Sequence, residues 1–433
     1  MVYKDLQPIS IVENEGFREY SKALNPTYSL PSRKTVSKSL LPAAYEEKKN
    51  SLKNVLSAVQ NICLTVDCWS NQKAESYMAV TGHFIDEHMQ RKTVLIDCSI
   101  FDERHSAKNI AENIIHICQP YFPMEKVSLI VTDNAKNMIN AVDSELKLKH
   151  LGCIAHSLNL AVTNSLNEVN DLLTKIRDIV IVYRRSNIAA KNLRKYLCSS
   201  EERKDLKVIL DVKTRWNSTF YMVKRFLELK DAIRSTMGLM NDPPEALDVP
   251  EWESVQHLCD VLKPFEKVTC ELSSEKYLSA SMAPVLIGGL QKICENLLSK
   301  SVNEQVQNVV LVLQRELVAQ TTHNLVEDVE EDDEEIDESS VWFEFESKVI
   351  ASRTSASAAD AAIDKAAAAE VKRYLQEPIL SRKSDPLEWW EKNKNVFPNL
   401  YELSRKKLGL VATSVPCERV FSKAGLILND RRN

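Results

Sequence analysis

Asp67, Asp133 and Glu418 are the residues of this sequence whose type and setting could do chemistry. Asp67 closes the apolar run Leu64-Thr65-Val66, and Asp133 closes Leu129-Ile130-Val131-Thr132. A carboxylate at the end of a buried strand is costly unless it is paired, hydrogen-bonded or bound to a cation. If the two strands lie side by side, both groups reach one rim. Glu418 follows Thr413, Ser414 and Pro416, residue types that start helices, so it is expected in a first helical turn. Three such oxygen donors would suit Mg²⁺ or Mn²⁺, and two ions roughly 3.5 to 4 Å apart stabilise the attacking and leaving oxygens of a phosphodiester. The plainer alternative is that each Asp caps the turn that follows it, which is ordinary for Asp. Spacing alone leaves both readings open.

The elements that must position these groups begin at Asn61. Short apolar runs at Ile62–Val66, Tyr77–Ile85 and Thr93–Cys98 predict a meander of three strands. A helix from about Ser106 to Cys118 and a buried strand at Val127–Thr132 follow, giving a mixed sheet with helices laid across it. After His156 the helical period takes over, through Ile176–Leu197, Phe220–Met237, Trp252–Leu272 and Val302–Val318. The expected organisation is an N-terminal helical segment (1–60), a first α/β part (61–165), an all-α insertion (166–384) with an acidic disordered loop at 321–340, and a last part (385–433).

Of 433 residues, 44% are hydrophobic and 27% charged, with 8 Gly and 15 Pro, which excludes collagen-like, mucin-like and wholly disordered classes. No apolar run reaches the roughly 18 residues of a membrane helix, and the start has no apolar core for a secretory signal, so no membrane partner is expected. Ten Cys without repeated spacing fit reduced thiols inside a cell. The net charge of −5 reflects one segment, since ten of the twelve residues from Glu327 to Glu338 are acidic. Removing those ten from the 61 acidic residues leaves 51 against 56 basic ones. A remainder of net +5 permits a nucleic-acid partner without demanding one.

The ending is more specific. Asp385-Pro386-Leu387-Glu388-Trp389-Trp390, Phe397-Pro398-Asn399-Leu400 and Ala412-Thr413-Ser414-Val415-Pro416-Cys417-Glu418-Arg419-Val420-Phe421-Ser422 resemble the C-terminal dimerisation region of hAT-family transposases. Asp5-Leu6-Gln7-Pro8, Glu15-Gly16-Phe17 and Tyr28-Ser29-Leu30-Pro31 are similar to the N-terminal segment of the branch that includes zinc finger BED domain-containing proteins. The resemblance implies a ribonuclease H-like fold interrupted by an all-helical insertion. It implies that Asp67, Asp133 and Glu418 are the catalytic carboxylates holding Mg²⁺ or Mn²⁺ for cleavage at a transposon end, hairpin formation and strand transfer. Cys153-Ile154-Ala155-His156 matches the family's C-x-x-H motif just after its fifth strand, with His156 near the reacting phosphates; the plain reading is a core Cys and a helix-start His. Zinc is not expected, because one Cys and one His supply half of a tetrahedral site. Arg215-Trp216-Asn217-Ser218-Thr219 resembles the motif whose Trp stacks on an extruded base, with Lys213, Arg215 and also Arg419 meeting DNA. A buried structural Trp216 is the competing reading. Trp389, Trp390, Phe397, Leu400 and Phe421 read as core and dimer-interface anchors.

The sequence departs from the family in holding no C-x₂-C followed by H-x₃₋₅-H, so the BED finger is missing from this chain, and it stops inside the dimerisation pattern. Two functions follow from the resemblance. One is a metal-dependent DNA transposase. The other is a domesticated, non-catalytic nuclear DNA-binding dimer that regulates transcription.

Overall fold

The computed structural model describes residues 2, 4–71, 73–198, 206–274, 280–299, 303–324, 365–378, 380–381 and 384–427. The acidic run from Glu327 to Glu338 lies outside them. The chain divides into two compact units, one formed by 1–153 with 378–433 and the other by 154–377, where the sequence reading set the changes of texture at 166 and 385.

In the first unit, helices α1 (Glu15–Leu24) and α2 (Leu41–Ala58) precede the sheet. Strands β1 (Ile62–Ser70), β2 (Ser76–Ile85) and β3 (Arg91–Ile100) form an antiparallel meander. Strands β4 (Val127–Thr132) and β5 (His150–Gly152) then add parallel to β1, in the order β3-β2-β1-β4-β5. The sheet is therefore mixed, as the run of apolar segments indicated.

Alternation along β1 sorts its side chains onto two faces. Ile62, Leu64 and Val66 are fully buried on one face, in a core shared with Met78, Val80 and Phe84 of β2. Helix α3 (Ala107–Cys118) covers that core with Ile110, Ile114, Ile117 and Cys118, positions that recur on one side of a 3.6-residue period. The Ser106 hydroxyl caps its first turn by accepting the Asn109 N–H. Each fully buried aliphatic side chain contributes roughly 1.5–3 kcal/mol, so a charge at Ile114 would break this layer. Cys63, Thr65, Asp67 and Trp69 occupy the other face.

β1 is longer than its apolar run, and this corrects one expectation. Asp67 lies inside the strand rather than closing it, because β1 keeps pairing with β2 from Asp67 opposite Ala79 to Ser70 opposite Ser76, after β4 has ended.

The second unit is helical: α4 (Ile154–Ser165), α5 (Asn170–Arg185), α6 (Asn187–Leu197), α7 (Trp216–Glu228), α8 (Lys230–Met237), α9 (Val249–Leu272), α10 (Met282–Leu298), α11 (Glu304–Asn324) and α12 (Lys365–Tyr374). A reciprocal cap between Asp248 and Glu251 starts α9. Trp252 of α9 stacks on Phe226 of α7 at 4.9 Å. Helix α11 continues through Asn324, so Thr321 and Thr322, expected in the acidic loop, are helical. The helical period of Val302–Val318 extends that far because nothing in Ala319–Asn324 breaks it.

In the first unit the chain ends with α13 (Pro386–Asn393), α14 (Pro398–Leu408) and α15 (Val415–Ile427).

Candidate active site

Parallel pairing of β1 and β4 sets Thr65 opposite Val131; Asp67 follows two residues on in β1 and Asp133 just past the end of β4, near enough for the charge of Asp133 to act on Asp67. Helix α15 lies across β1 and β2 on the face that Thr65, Asp67 and Trp69 share. Its anchor is Cys417, fully buried, whose thiol donates toward the Thr65 carbonyl at 3.4 Å and lies 3.2 Å from the Thr65 hydroxyl. Four residues on, Phe421 stacks on Trp69 at 5.7 Å, and both pack with Ala79. Glu418 follows Cys417 in the first turn and is exposed, so the docked cysteine carries it to the carboxylate rim.

The electrostatics register this convergence. The Asp67 carboxyl is pushed up to about 7, first by burial, then by the charge of Asp133 and less by that of Glu418, while a 2.8 Å bond from the Cys68 N–H opposes the rise. Among the described residues no basic side chain pairs with Asp67, Asp133 or Glu418. Asp133 also accepts the Ala135 N–H at 3.3 Å, which is the turn-capping role that its sequence setting allowed.

A hard divalent cation suits this donor set in ligand type and in sign, since all three groups are carboxylates and the charges of Asp133 and Glu418 both act on Asp67. Among the described residues, however, no three His, Cys, Asp or Glu side chains stand as a closed metal-holding group.

Several residues that support the rim carried no signal in the sequence. Beneath α15 the hydroxyls of Thr65 and Thr81 are hydrogen-bonded, and His83 Nε2 lies 3.0 Å from the Thr81 hydroxyl while Nδ1 lies 3.1 Å from that of Thr93. Burial, reinforced by the Arg91 charge, drives His83 down to about 3, so it stays neutral. His150 of β5 bonds the Thr132 hydroxyl at 2.9 Å, one residue before Asp133. Burial lowers its pKa, and the charges of Asp143 and Asp133 oppose that. Gly152 is closed against Asn134, whose Oδ1 occupies the place where a Cβ would sit. Such contacts join positions far apart in the chain, so no local pattern could have marked them.

The other candidate residues are divided between the two units. Cys153 is buried, and its sulfur accepts the Ser414 N–H at 3.3 Å, tying the end of β5 to the approach to α15. His156 sits in the first turn of α4, in the helical unit. In that unit Lys213 and Arg215 are exposed, while Trp216 opens α7 at 1% exposure with its indole N–H lacking a hydrogen-bond partner. A base would reach that ring only after the side chain is uncovered. The motif folds as a helix start, since the Ser218 hydroxyl bonds Val212 and Arg215 and the Thr219 hydroxyl donates to Asp211. Arg419 is half-buried on α15.

Trp390, Phe397 and Tyr401 bury against Ile85 and Met89 at the β2–β3 hairpin, with Trp389 and Leu400 partly buried around them. Phe421 is buried against the sheet. These side chains therefore pack within the chain.

Residues 65–158 match the ZBED1 RNase-like domain, residues 151–261 the ZBED1 RNase-like helical domain, and residues 370–433 the hAT family C-terminal dimerisation region. Human zinc finger BED domain-containing protein 4 is 24% identical over 98% of this chain and 40% of its own length. The putative AC transposase of Zea mays is 28% identical over 64% of the chain and 36% of its own. The putative transcriptional regulator tpeD of Talaromyces stipitatus is 27% identical over 62% of the chain and 36% of its own. The chain thus spans two fifths or less of these relatives. No described helix is long and apolar enough to cross a membrane.

Proposed function

We propose, for a chain that carries the RNase-like domains and dimerisation region of the hAT transposases and their BED zinc-finger relatives, that it is a nuclear, self-associating protein that cleaves and rejoins DNA. Asp67, Asp133 and Glu418 are the residues that would hold Mg²⁺ or Mn²⁺. Such an ion, when bound, would activate water or a 3′-OH and stabilise charge on the phosphodiester oxygens. The observation that carries this reading is the Asp67 carboxyl, pushed up to about 7 partly by the other two charges. A purely structural Asp would gain nothing from two like-charged neighbours. In this reading the chain's own part is to hold the donors: the paired strands β1 and β4 would carry Asp67 and the residue after β4, Asp133, and the buried Cys417 would hold the first turn of α15 that bears Glu418. The DNA-contacting roles of His156, Lys213, Arg215, Trp216 and Arg419 rest on the motifs alone.

The second reading, a non-catalytic DNA-binding dimer that regulates transcription, is favoured by the absence of a closed three-ligand group among the described residues and by the name of the fungal relative. Mn²⁺-dependent nicking of plasmid DNA separates the two. Activity lost in both Asp67→Asn and Glu418→Gln supports the enzyme. Equal inertness of wild type and variants, with duplex binding retained, supports the binding protein.

A further inference from the structure

In the helical unit a cleft of about 530 Å³ opens between the α5–α6 helix pair and the extended segment 206–210. Its floor is apolar, formed by the buried Tyr183 and Leu193. Its rim is cationic and exposed: Arg184 from the last turn of α5, Arg194 from α6 and Lys207 from the extended segment. Ser186 alone joins the two helices, and its hydroxyl caps α6 by accepting the Ala189 N–H, which orders the backbone junction between α5 and α6. The extended segment is held in turn by Arg225, whose Nη1 donates to the Lys207 carbonyl at 3.0 Å.

What separates these cations from their neighbours is pairing. Earlier on α5, Lys175 binds Glu251 at 2.8 Å and Arg177 makes a two-pronged bond to Asp211. Among the described residues no carboxylate pairs with Arg184, Arg194 or Lys207. Three cations around one concave surface, with no carboxylate partner among the described residues, repel each other, and a polyanion relieves that arrangement. Guanidinium forks match phosphate oxygens in a bidentate way, whereas base edges are read by side chains that reach into a groove.

We propose that this cleft docks the phosphate backbone of duplex DNA, with Arg184, Arg194 and Lys207 each meeting a phosphate irrespective of sequence. The inference rests on the reading of the chain as a DNA-acting protein and is independent of whether its carboxylates cleave.

The test is fluorescence anisotropy of the full chain with two unrelated 30-base-pair duplexes across a salt series, comparing wild type with the triple variant Arg184→Gln/Arg194→Gln/Lys207→Gln. Three lost phosphate contacts should make the slope of log affinity against log salt shallower by about 2.7, so that wild-type affinity falls about 40-fold further than the variant's between about 50 and 200 mM salt. The loss should be equal for both duplexes. The charge-retaining variant Arg184→Lys/Arg194→Lys should keep the wild-type slope, which separates lost charge from lost folding. An unchanged slope in the triple variant overturns the proposal, as does a loss confined to one duplex. A reduced slope in a protein inert in the nicking assay upholds the docking site while the cleavage reading fails; nicking with an unchanged slope does the reverse.

Discussion

Replacing Asp67 with Asn should stabilise the metal-free protein at neutral pH. The folded carboxyl holds its proton up to about 7, against an ordinary value of 3.8. Between those values the folded state binds more protons than the unfolded state, so stability is highest below pH 3.8 and falls as pH rises to about 7. A shift of that size corresponds to about 4 kcal/mol at full burial, and to about 2–4 kcal/mol once solvent screening of the partly exposed carboxyl is included. Asn cannot ionise, yet its Oδ1 keeps the acceptor for the Cys68 N–H. Scanning calorimetry in EDTA should therefore show the variant and wild type converging near pH 4 and the variant ahead at pH 8, by roughly 5 to 15 °C for a unit of this size. Added Mn²⁺ should raise the wild-type Tm at pH 7.5, by the equivalent of about 2.7 kcal/mol at a hundredfold excess over Kd, and leave the variant unmoved. Parallel pH curves for the two proteins would refute the claim that Asp67 is buried against like charges.

Three further outcomes test other parts of the account. His83 is held neutral down to about 3 against an ordinary 6.5, so it contributes stability that is complete above pH 6.5 and is lost as pH falls toward 3. His83→Gln should flatten that acid limb in a pH series of chemical unfolding. Gly152→Ala forces a methyl onto Asn134 beside Asp133, and it should weaken Mn²⁺ binding in calorimetric titration while the helical signal in circular dichroism is kept. Phe397 is fully buried, so Phe397→Ala should cost about 3–5 kcal/mol in unfolding experiments, as a core cavity does.

The strands were legible because their apolar runs are bounded by polar turns, and α3 because Ile110, Ile114 and Ile117 keep the helical period. The length of β1 was not, since Asp67–Ser70 is held by cross-strand pairing with β2 and carries no apolar run of its own. The three-residue β5 is too short to show a period, although the family resemblance implied a strand before Cys153. Trp390, Phe397 and Phe421 were marked as core and dimer-interface anchors by their aromatic side chains and the terminal motifs that hold them, and the structure supplies what they pack on within the chain: the β2–β3 hairpin and the face of β1.

By itself the sequence determined which residues could act: three carboxylates in recognisable settings, and a terminal motif long enough to identify its kind. Only the tertiary structure decided that they act on one another. Pairing of β1 with β4 brings Asp67 within reach of the charge of Asp133, and the buried Cys417 thiol brings a helix 352 residues from Thr65 down upon it. Side-chain type is a local property written residue by residue, whereas the charge that raises Asp67 acts through space, between groups that only folding makes neighbours.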